Sequence, residues 1–428
     1  MLLFSSAWLL LGVVQGLPPA LGASLEIMEG HESQRDQCFP TLSGEAGALN
    51  LGQRWGDSSP IASLHIDLQT VTSAMSSFDF RTFDPEGVIF FGSTRNNGDW
   101  FVLGLRRGKP EMQIHNFVIN ISISGGQPLN DGLWHRLLVK NEGDSVTLEV
   151  DGDDMLVLNR VSHAIVGYPA SHLDIGVGGL LIPRREMLTP MNTAMDGCMR
   201  RWNWLNRSSE WWEGVSVAEK STKVCFSTIR RGSFFPGSGL ATFRLSDLPT
   251  GQGAASGNWS LAVEMGVRAA RQISTLLAVS TMEKILVFSV KLQHKDLVAQ
   301  VHNVTVTSVP LPLEGCLDAR LFLHLTPSHL TLLLGEEGAS VAVQQPDFES
   351  LRDLWLGKNG SLSLGGSAMG KEESQEGGFF EGCLSKIRVQ GSQLDLDSAH
   401  YKSDSIWSHS CPGDDGPPST PGTNSGGH

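Results

Sequence analysis

The sequence predicts an all-β protein that folds into two antiparallel β-sandwich domains. A chain of 428 residues exceeds what one hydrophobic core normally supports, so two domains are expected. Short segments alternate apolar and polar residues at a period of two, which is typical of strands with one buried face. The 48 glycines and 20 prolines indicate many turns, and amphipathic helices of useful length are hard to find. Many short strands between regular turns favour β-sandwiches.

Both halves of the chain contain these strand patterns. In the first half, segments 63–68 and 146–150 alternate polar and apolar residues, as half-buried strands do. Segments 88–91 and 100–103 are fully apolar and suit central strands. The second half offers three more alternating segments, at 261–265, 321–325 and 330–334.

The cysteines reveal an internal duplication. Cys383 follows Cys198 by 185 residues, and Cys411 follows Cys225 by 186. The sequence Asp-Gly-Cys-Met at 196–199 is repeated as Glu-Gly-Cys-Leu at 381–384. Such self-similarity indicates two copies of one unit, each near 180 residues long. It implies the disulfides Cys198–Cys225 and Cys383–Cys411. Cys38 and Cys316 are left over, as buried thiols, a mutual bridge or intermolecular bonds.

The composition of the flanking and joining segments sets the expected boundaries. An apolar run near Met1, too short to span a bilayer and followed by small residues, is typical of a secretory signal peptide. We expect an extracellular protein without membrane insertion. The predicted organisation is a signal peptide at 1–23, a loose segment at 24–57, a first domain at 58–225, a linker at 226–240, a second domain at 241–411 and a disordered tail at 412–428.

Charge and motif content exclude several function classes. The net charge of −13 argues against nucleic-acid binding, which requires a basic surface. The sequence lacks a Gly-x-Ser-x-Gly elbow, a His-Glu-x-x-His zinc motif and a P-loop, so no enzymatic activity is expected. Five Asn-x-Ser/Thr sequons agree with export and are candidate glycosylation sites: Asn120, Asn206, Asn258, Asn303 and Asn359.

Four motifs in the first copy together resemble the laminin G-like domain family. They are Phe-Asp-Pro-Glu-Gly-Val-Ile-Phe-Phe-Gly at 83–92, Asp-Gly-Leu-Trp-His at 131–135, Val-Asp-Gly at 150–152 and Asp-Gly-Cys at 196–198. The second copy resembles the same family mainly through residues 381–384. Two such domains directly behind a signal peptide are similar to the tandem-domain steroid carriers of this family. The resemblance covers roughly residues 58 to 411 and implies two laminin G-like jelly-roll sandwiches.

The resemblance also implies a ligand and its site. A secreted carrier would hold an androgen non-covalently between the sheets of the first domain, with estrogens as a second candidate ligand class. Ser76 would hydrogen-bond the oxygen on ring A of the steroid. Asp99 and Asn116 would hold the hydroxyl on ring D, and Phe101 and Leu173 would line the apolar slot.

A calcium ion is the cofactor that the resemblance implies. Its ligands would be Asp84, Glu86 and the backbone carbonyl of Ala194, which are the oxygen ligands that this cation prefers. No zinc is expected at the family's accessory site, because Phe117 and Ala170 stand where it has histidines. The resemblance further implies a homodimer formed through first-domain edge strands.

The second copy and one alternative function complete the expectations. The second domain should bind neither calcium nor steroid, because Arg271 and Gln272 lie near the place of the first copy's acidic loop.

The alternative function is that of a laminin G-like adhesion or receptor-binding protein, with cell-surface or matrix proteins as candidate partners. Retention of labelled androgen would favour the carrier, and calcium-dependent receptor or glycan binding would favour adhesion.

Overall fold

A computed structural model describes the chain from residue 38 to residue 414. Within this span it leaves out residues 40–41, 43, 95–97, 118, 162–171, 206–215, 218–222, 252–257, 271–272, 313–314 and 368–377. The predicted signal peptide and most of the predicted tail therefore lie outside the described residues. Among the described residues, no helix has the length and apolar character needed to cross a lipid bilayer.

The first sandwich consists of a six-stranded and a seven-stranded antiparallel sheet. The six-stranded sheet has the order β1-β12-β3-β8-β9-β10, and the seven-stranded sheet has the order β13-β2-β11-β4-β5-β6-β7. The strands are β1 (Leu49–Asn50), β2 (Ala62–Asp67), β3 (Met75–Thr82), β4 (Gly87–Thr94), β5 (Trp100–Arg106), β6 (Lys109–His115), β7 (Asn120–Ser124), β8 (His135–Glu142), β9 (Ser145–Val150), β10 (Asp153–Leu158), β11 (His172–Val177), β12 (Gly197–Asn203) and β13 (Ser216–Val217).

The second sandwich repeats this architecture with a seven-stranded and an eight-stranded sheet, whose main paths are β15-β27-β17-β22-β23-β24 and β21-β20-β19-β18-β25-β16-β29. Its elements are β14 (Ile229–Arg231), β15 (Ser233–Pro236), β16 (Ala241–Arg244), β17 (Leu261–Ala269), β18 (Ser274–Thr281), β19 (Leu286–Leu292), β20 (Asp296–Val301), β21 (Val304–Pro310), β22 (Leu317–Leu325), β23 (His329–Leu334), β24 (Glu337–Ala342), helix α1 (Gln345–Gly357), β25 (Gly360–Leu364), β26 (Gly378–Phe379), β27 (Glu381–Val389), β28 (Ser392–Gln393), β29 (Tyr401–Lys402) and β30 (Ser410–Pro412). The all-β prediction of two antiparallel sandwiches is confirmed.

Helix α1 is an element of another class that the sequence pattern did not reveal. It begins with a proline in its first turn, where a missing N–H costs nothing. Phe348, Leu351 and Trp355 form its buried face, and Trp355 and Phe348 both pack against Trp259. Three apolar anchors over 13 residues make too short a pattern to predict a helix against the surrounding strand signals.

Three segments expected to be loose are ordered where the structure describes them. Residues 49–50 form β1 and pair with β12 of the first sandwich. In the expected linker, β15 pairs with β27, and Phe234 and Phe235 are fully buried. Pro412, at the start of the expected tail, ends β30, which pairs with β14. Glycine, serine and basic residues dominate the composition of the linker, but its two phenylalanines determine its packing.

The structure contains three disulfides. Cys198–Cys225 and Cys383–Cys411 close the C-terminal ends of the two sandwiches, as the duplication implies. The remaining two cysteines bond to each other, because Cys38 reaches Cys316 of the second sandwich. The N-terminal segment of the first half is thus tied covalently to the second half.

A small apolar cluster also lies between the two sandwiches. Phe39, Phe226, Phe234 and Trp407 are all buried there, with ring centroids 5.0 to 5.6 Å apart. The guanidinium of Arg81, on β3 of the first sandwich, donates to the backbone carbonyls of Phe226 and Ser227. The two sandwiches therefore meet through packed aromatic rings as well as polar contacts.

Candidate functional site

A cavity of about 160 Å³ lies between the two sheets of the first sandwich. All five residues predicted to contact a ligand line it: Ser76, Asp99, Phe101, Asn116 and Leu173. Ser76 comes from the six-stranded sheet, and the other four lie on or beside strands of the seven-stranded sheet. The sandwich thus brings together residues that lie almost 100 positions apart in the sequence.

Ser76 is the most buried of the predicted ligand contacts. It belongs to β3, and 8% of its surface is exposed. Its Oγ accepts a hydrogen bond from the backbone N–H of Leu205 at 3.2 Å. Because a hydroxyl has one proton and two lone pairs, Ser76 keeps its own proton for a ligand oxygen. It therefore suits a carbonyl acceptor, and its second lone pair can accept from a hydroxyl.

Asp99 and Asn116 are more exposed than Ser76. Asp99 precedes β5 and is half-buried, and Asn116 follows β6 directly. The Asn116 side chain donates from Nδ2 to the carbonyl of Val161 at 2.8 Å and accepts at Oδ1 from the N–H of Ile119 at 2.9 Å. These bonds fix the orientation of its amide. The cavity thus carries polar groups from both sheets.

The rest of the cavity lining is mostly apolar. Phe101 packs against Phe90 with ring centroids 5.5 Å apart, and Leu173 lies on β11 across from β4. Gly92 on β4 has no side chain to fill the space, and a Cβ there would meet only Leu173 Cδ1 at 4.0 Å. The 160 Å³ of the cavity is below the 300 Å³ or more of typical ligand pockets, so a ligand of ordinary size would also occupy the open mouth.

The sequence pattern did not single out several residues that line the cavity. Phe90, Gly92, Val139 and Ile175 belong to inward-facing strand positions, and period-two alternation predicts only that such positions are buried. It does not indicate where opposed side chains leave a gap. Asn141 also lines the cavity. Its Oδ1 is buried and has no hydrogen-bond partner among the described residues.

The predicted calcium ligands lie on two facing segments at the rim. Asp84 accepts from the N–H of Asp196 at 2.8 Å, and Glu86 accepts from the N–H of Asn192 at 2.7 Å. The carbonyl of Ala194 lies beside Gly87, where a Cβ would come within 2.3 Å of it. Burial raises the pKa of Asp84 to about 8, and the neighbouring His409 acts in the opposite direction. Two carboxylates and a carbonyl thus converge from the same two loops, which fits a hard cation.

The remaining predicted residues are distributed as follows. Asn120, Asn258, Asn303 and Asn359 are all exposed, and Asn120 is the first residue of β7 at the edge of its sheet. Asn206, Ala170, Arg271 and Gln272 lie outside the described residues. Phe117, which replaces a histidine of the accessory zinc site, is 76% exposed.

Comparison with known proteins relates this geometry to a family. The laminin G domain family matches residues 80–210. Sex hormone-binding globulin of Crocuta crocuta is 36% identical over 382 residues, covering 89% of this chain and 91% of that protein. Sex hormone-binding globulin of Homo sapiens is 37% identical over 376 residues, covering 87% and 89%.

The fold has a counterpart among solved structures. Domains LG4-5 of the mouse laminin alpha1 chain match with a TM-score of 0.61 over 87% of this chain and 96% of that chain. Their sequence identity of 18% means that this likeness concerns the fold alone. The identity to the globulins extends over most of both chains. The chain therefore belongs to the sex hormone-binding globulin family.

Proposed function

We propose that this protein is a secreted carrier that binds androgens, and estrogens as a second ligand class, in the cavity of the first sandwich, without catalysis. The observation that carries the proposal is the cavity itself, whose lining is mostly apolar and includes a few polar side chains from both sheets, among them Ser76, Asp99 and Asn116. A steroid is a flat apolar body with a polar atom at each end, so its chemistry matches this arrangement. The relatives are named sex hormone-binding globulins, which supports the same ligand class.

The energetics require both the apolar lining and the polar side chains of the cavity. Burying about 300 Å² of steroid surface at about 25 cal/mol per Å² contributes about 7 kcal/mol before the costs of association. Nanomolar affinity needs about 12 kcal/mol. The hydrogen bonds to the steroid oxygens and the fit of the walls must therefore supply a large share of the affinity.

Each polar residue has a proposed role. Ser76 donates to a ring A ketone or accepts from a ring A phenol, so one residue serves both ligand classes. An ionised Asp99 can only accept, so it suits a ring D hydroxyl, and Asn116 serves as donor or acceptor. The buried Oδ1 of Asn141 favours a ligand that presents a hydroxyl to it, because a buried acceptor without a partner is costly.

Calcium, glycans and a second copy of the chain complete the proposal. Asp84, Glu86 and the Ala194 carbonyl would hold calcium, which would brace the loops at the rim. N-linked glycans would occupy exposed sequons such as Asn303. The sheet edges β7 and β10 are the first-domain strands through which a homodimer would form.

Equilibrium dialysis of the secreted full-length protein tests the proposal. Tritium-labelled dihydrotestosterone and estradiol should each bind saturably, at one steroid per chain, and compete with each other. If the protein retains neither steroid, the carrier function is wrong. Calcium-dependent binding to cell-surface or matrix proteins, in the absence of steroid retention, would instead support the adhesion function.

A further inference from the structure

The side chain of Asn141 is a polar group among apolar neighbours in the cavity of the first sandwich. Val139, two residues earlier on β8, and Val146, its cross-strand partner on β9, also line the cavity. The backbone N–H of Asn141 donates to the carbonyl of Ala74 at 3.0 Å. Its side-chain Oδ1, however, is buried and has no hydrogen-bond partner in the part of the chain that the structure describes. The sheet thus satisfies the backbone N–H of Asn141 but not this side-chain oxygen.

The unpaired oxygen of Asn141 favours a ligand that carries a hydroxyl. A buried polar atom without a partner destabilises a folded protein, because it loses its hydrogen bonds to water and gains none in return. Rotating the amide by half a turn would bring Nδ2 to the same place, and this nitrogen would then lack an acceptor. A ligand hydroxyl satisfies either orientation, because it both donates and accepts, whereas a ketone only accepts.

Asn141 lies on the same wall of the cavity as Ser76. Ser76 on β3 is paired with Val139 on β8, so Asn141, two residues further along β8, is a diagonal neighbour of Ser76. Diagonal neighbours on one face of an antiparallel pair lie about 7–8 Å apart. Two oxygens of one ligand can therefore pair with Ser76 and Asn141 only if a similar distance separates them.

This separation selects a part of the steroid. If Ser76 holds the ring A oxygen, as proposed above, a group about 7–8 Å away lies beyond ring A. It falls short of the oxygen on ring D, for which Asp99 and Asn116 of the other sheet are proposed. The remaining positions belong to rings B and C, in the middle of the steroid. Neither dihydrotestosterone nor estradiol carries an oxygen there.

We propose that Asn141 selects androgens that carry a third oxygen, a hydroxyl on ring B or ring C, in addition to the oxygens on rings A and D. The inference rests on the proposed carrier function and specifies the ligand of the same cavity. Ser76 and Asn141 hold two of the oxygens from the six-stranded sheet, and the pair of residues proposed for ring D holds the third. A steroid without the added hydroxyl still binds, but it leaves the Asn141 oxygen unpaired.

The test measures how the preference for an added hydroxyl depends on residue 141. The ligands are dihydrotestosterone and a set of its derivatives, each with one added hydroxyl on ring B or ring C. The proteins are the unaltered full-length chain and Asn141→Leu, since leucine is close to asparagine in size and shape and has no polar side-chain atom. Equilibrium dialysis gives each dissociation constant, and the ratio of the constants for dihydrotestosterone and a derivative measures the preference.

The preference should reverse between the two proteins. At least one derivative should bind the unaltered protein about tenfold more tightly than dihydrotestosterone does, because its hydroxyl pairs with Asn141. In Asn141→Leu the same hydroxyl would be buried without a partner, so this derivative should bind about tenfold more weakly than dihydrotestosterone. The unfolding temperature of ligand-free Asn141→Leu should stay the same or rise, because the exchange removes an unpaired buried atom.

Asn159→Leu is the matched control. Asn159 is exposed, accepts a hydrogen bond from Ser145 and lies outside the cavity, so this variant should keep the preference of the unaltered protein. Retention of none of the steroids would overturn the carrier function, and the inference about Asn141 with it. Retention of dihydrotestosterone, with the same ratios in the unaltered protein and in Asn141→Leu, would overturn the inference about Asn141 alone.

Discussion

The role of Ser76 follows from its position in the folded protein and cannot be read from the local sequence. In the sequence it is one serine in a serine-rich stretch, and only the resemblance gives it a role. In the structure its Oγ is held by the Leu205 N–H in the lining of the cavity. Neighbouring strands create this position, so local sequence patterns could not reveal it. Gly92 escaped prediction as a ligand contact for the same reason, since its significance depends on a gap between the sheets.

At this scale we predict that Ser76→Ala weakens androgen binding about tenfold. A buried steroid oxygen would lose its partner, which costs about 1–2 kcal/mol. Ser77→Ala is the matched control, because Ser77 points to the other face of β3 and contacts Arg136. The dissociation constants of both variants for dihydrotestosterone check this prediction. Equal affinities for the two variants would contradict the assigned role of Ser76.

At the scale of the element, the period-two alternation of polar and apolar residues predicted many strands well. It did not predict helix α1 or the strands at 229–236. Leu64 and Ile66 are buried in β2, and Leu330 and Leu332 are buried in β23, as their period-two patterns indicate. Helix α1 and the strands at 229–236 were missed, because long-range packing against the second sandwich stabilises them. A short segment that gains its order from distant partners carries only a weak local signal.

The turn between β9 and β10 provides a pH-dependent contact. His135 on β8 binds Asp151 at 2.7 Å and Asp131 at 3.1 Å. Burial alone would lower the pKa of His135, but the hydrogen bonds to Asp151 and Asp131 outweigh it and raise the pKa above 6.5. Burial alone would raise the pKa of Asp151, but its contacts with His135 and with the Arg136 N–H outweigh burial and lower the pKa below 3.8.

The sign of the pH effect follows from these shifts. Because the pKa of His135 is raised in the folded protein, its contribution to stability is fully present below about pH 6.5. This contribution is lost as the pH rises through the pKa that His135 has in the folded protein. Because the pKa of Asp151 is lowered in the folded protein, its contribution to stability is fully present above about pH 3.8. We therefore predict that His135→Gln lowers the stability by up to about 1 kcal/mol near pH 5 and by less near pH 8.5. Thermal unfolding of His135→Gln between about pH 5 and about pH 8.5 checks this prediction, with His329→Gln as the control. A loss that is larger at pH 8.5 would contradict the assignment.

At the scale of the whole molecule, the matched cysteine spacings predicted the duplication and two of the three disulfides. The sequence left Cys38 and Cys316 open, because their bond joins the two halves and follows no repeat. The contact between the sandwiches was likewise hidden, since it depends on how two folded units face each other. Phe39, Phe226 and Trp407 meet there from three distant parts of the chain.

We predict that the double variant Cys38→Ser/Cys316→Ser is less stable by about 2–4 kcal/mol, because the bond restricts a very long loop in the unfolded chain. Replacing both cysteines avoids a free thiol. Calorimetry should show a lower unfolding temperature, and steroid affinity should be unchanged because neither cysteine lines the cavity. An unaltered unfolding temperature would show that the bond contributes nothing to stability.

The central claim is that the cavity between the sheets of the first sandwich holds the steroid, and Gly92→Val tests it most directly. The added side chain would project into the cavity from a backbone position that tolerates it, since its Cβ meets only Leu173 at an ordinary contact distance. Overpacking of this kind costs about 1–3 kcal/mol, so the dissociation constant for dihydrotestosterone should rise about 10- to 100-fold. The unfolding temperature of the ligand-free protein should stay the same or rise, because the new methyl groups fill empty space. An unchanged dissociation constant in a folded Gly92→Val protein would contradict the account and place the ligand elsewhere.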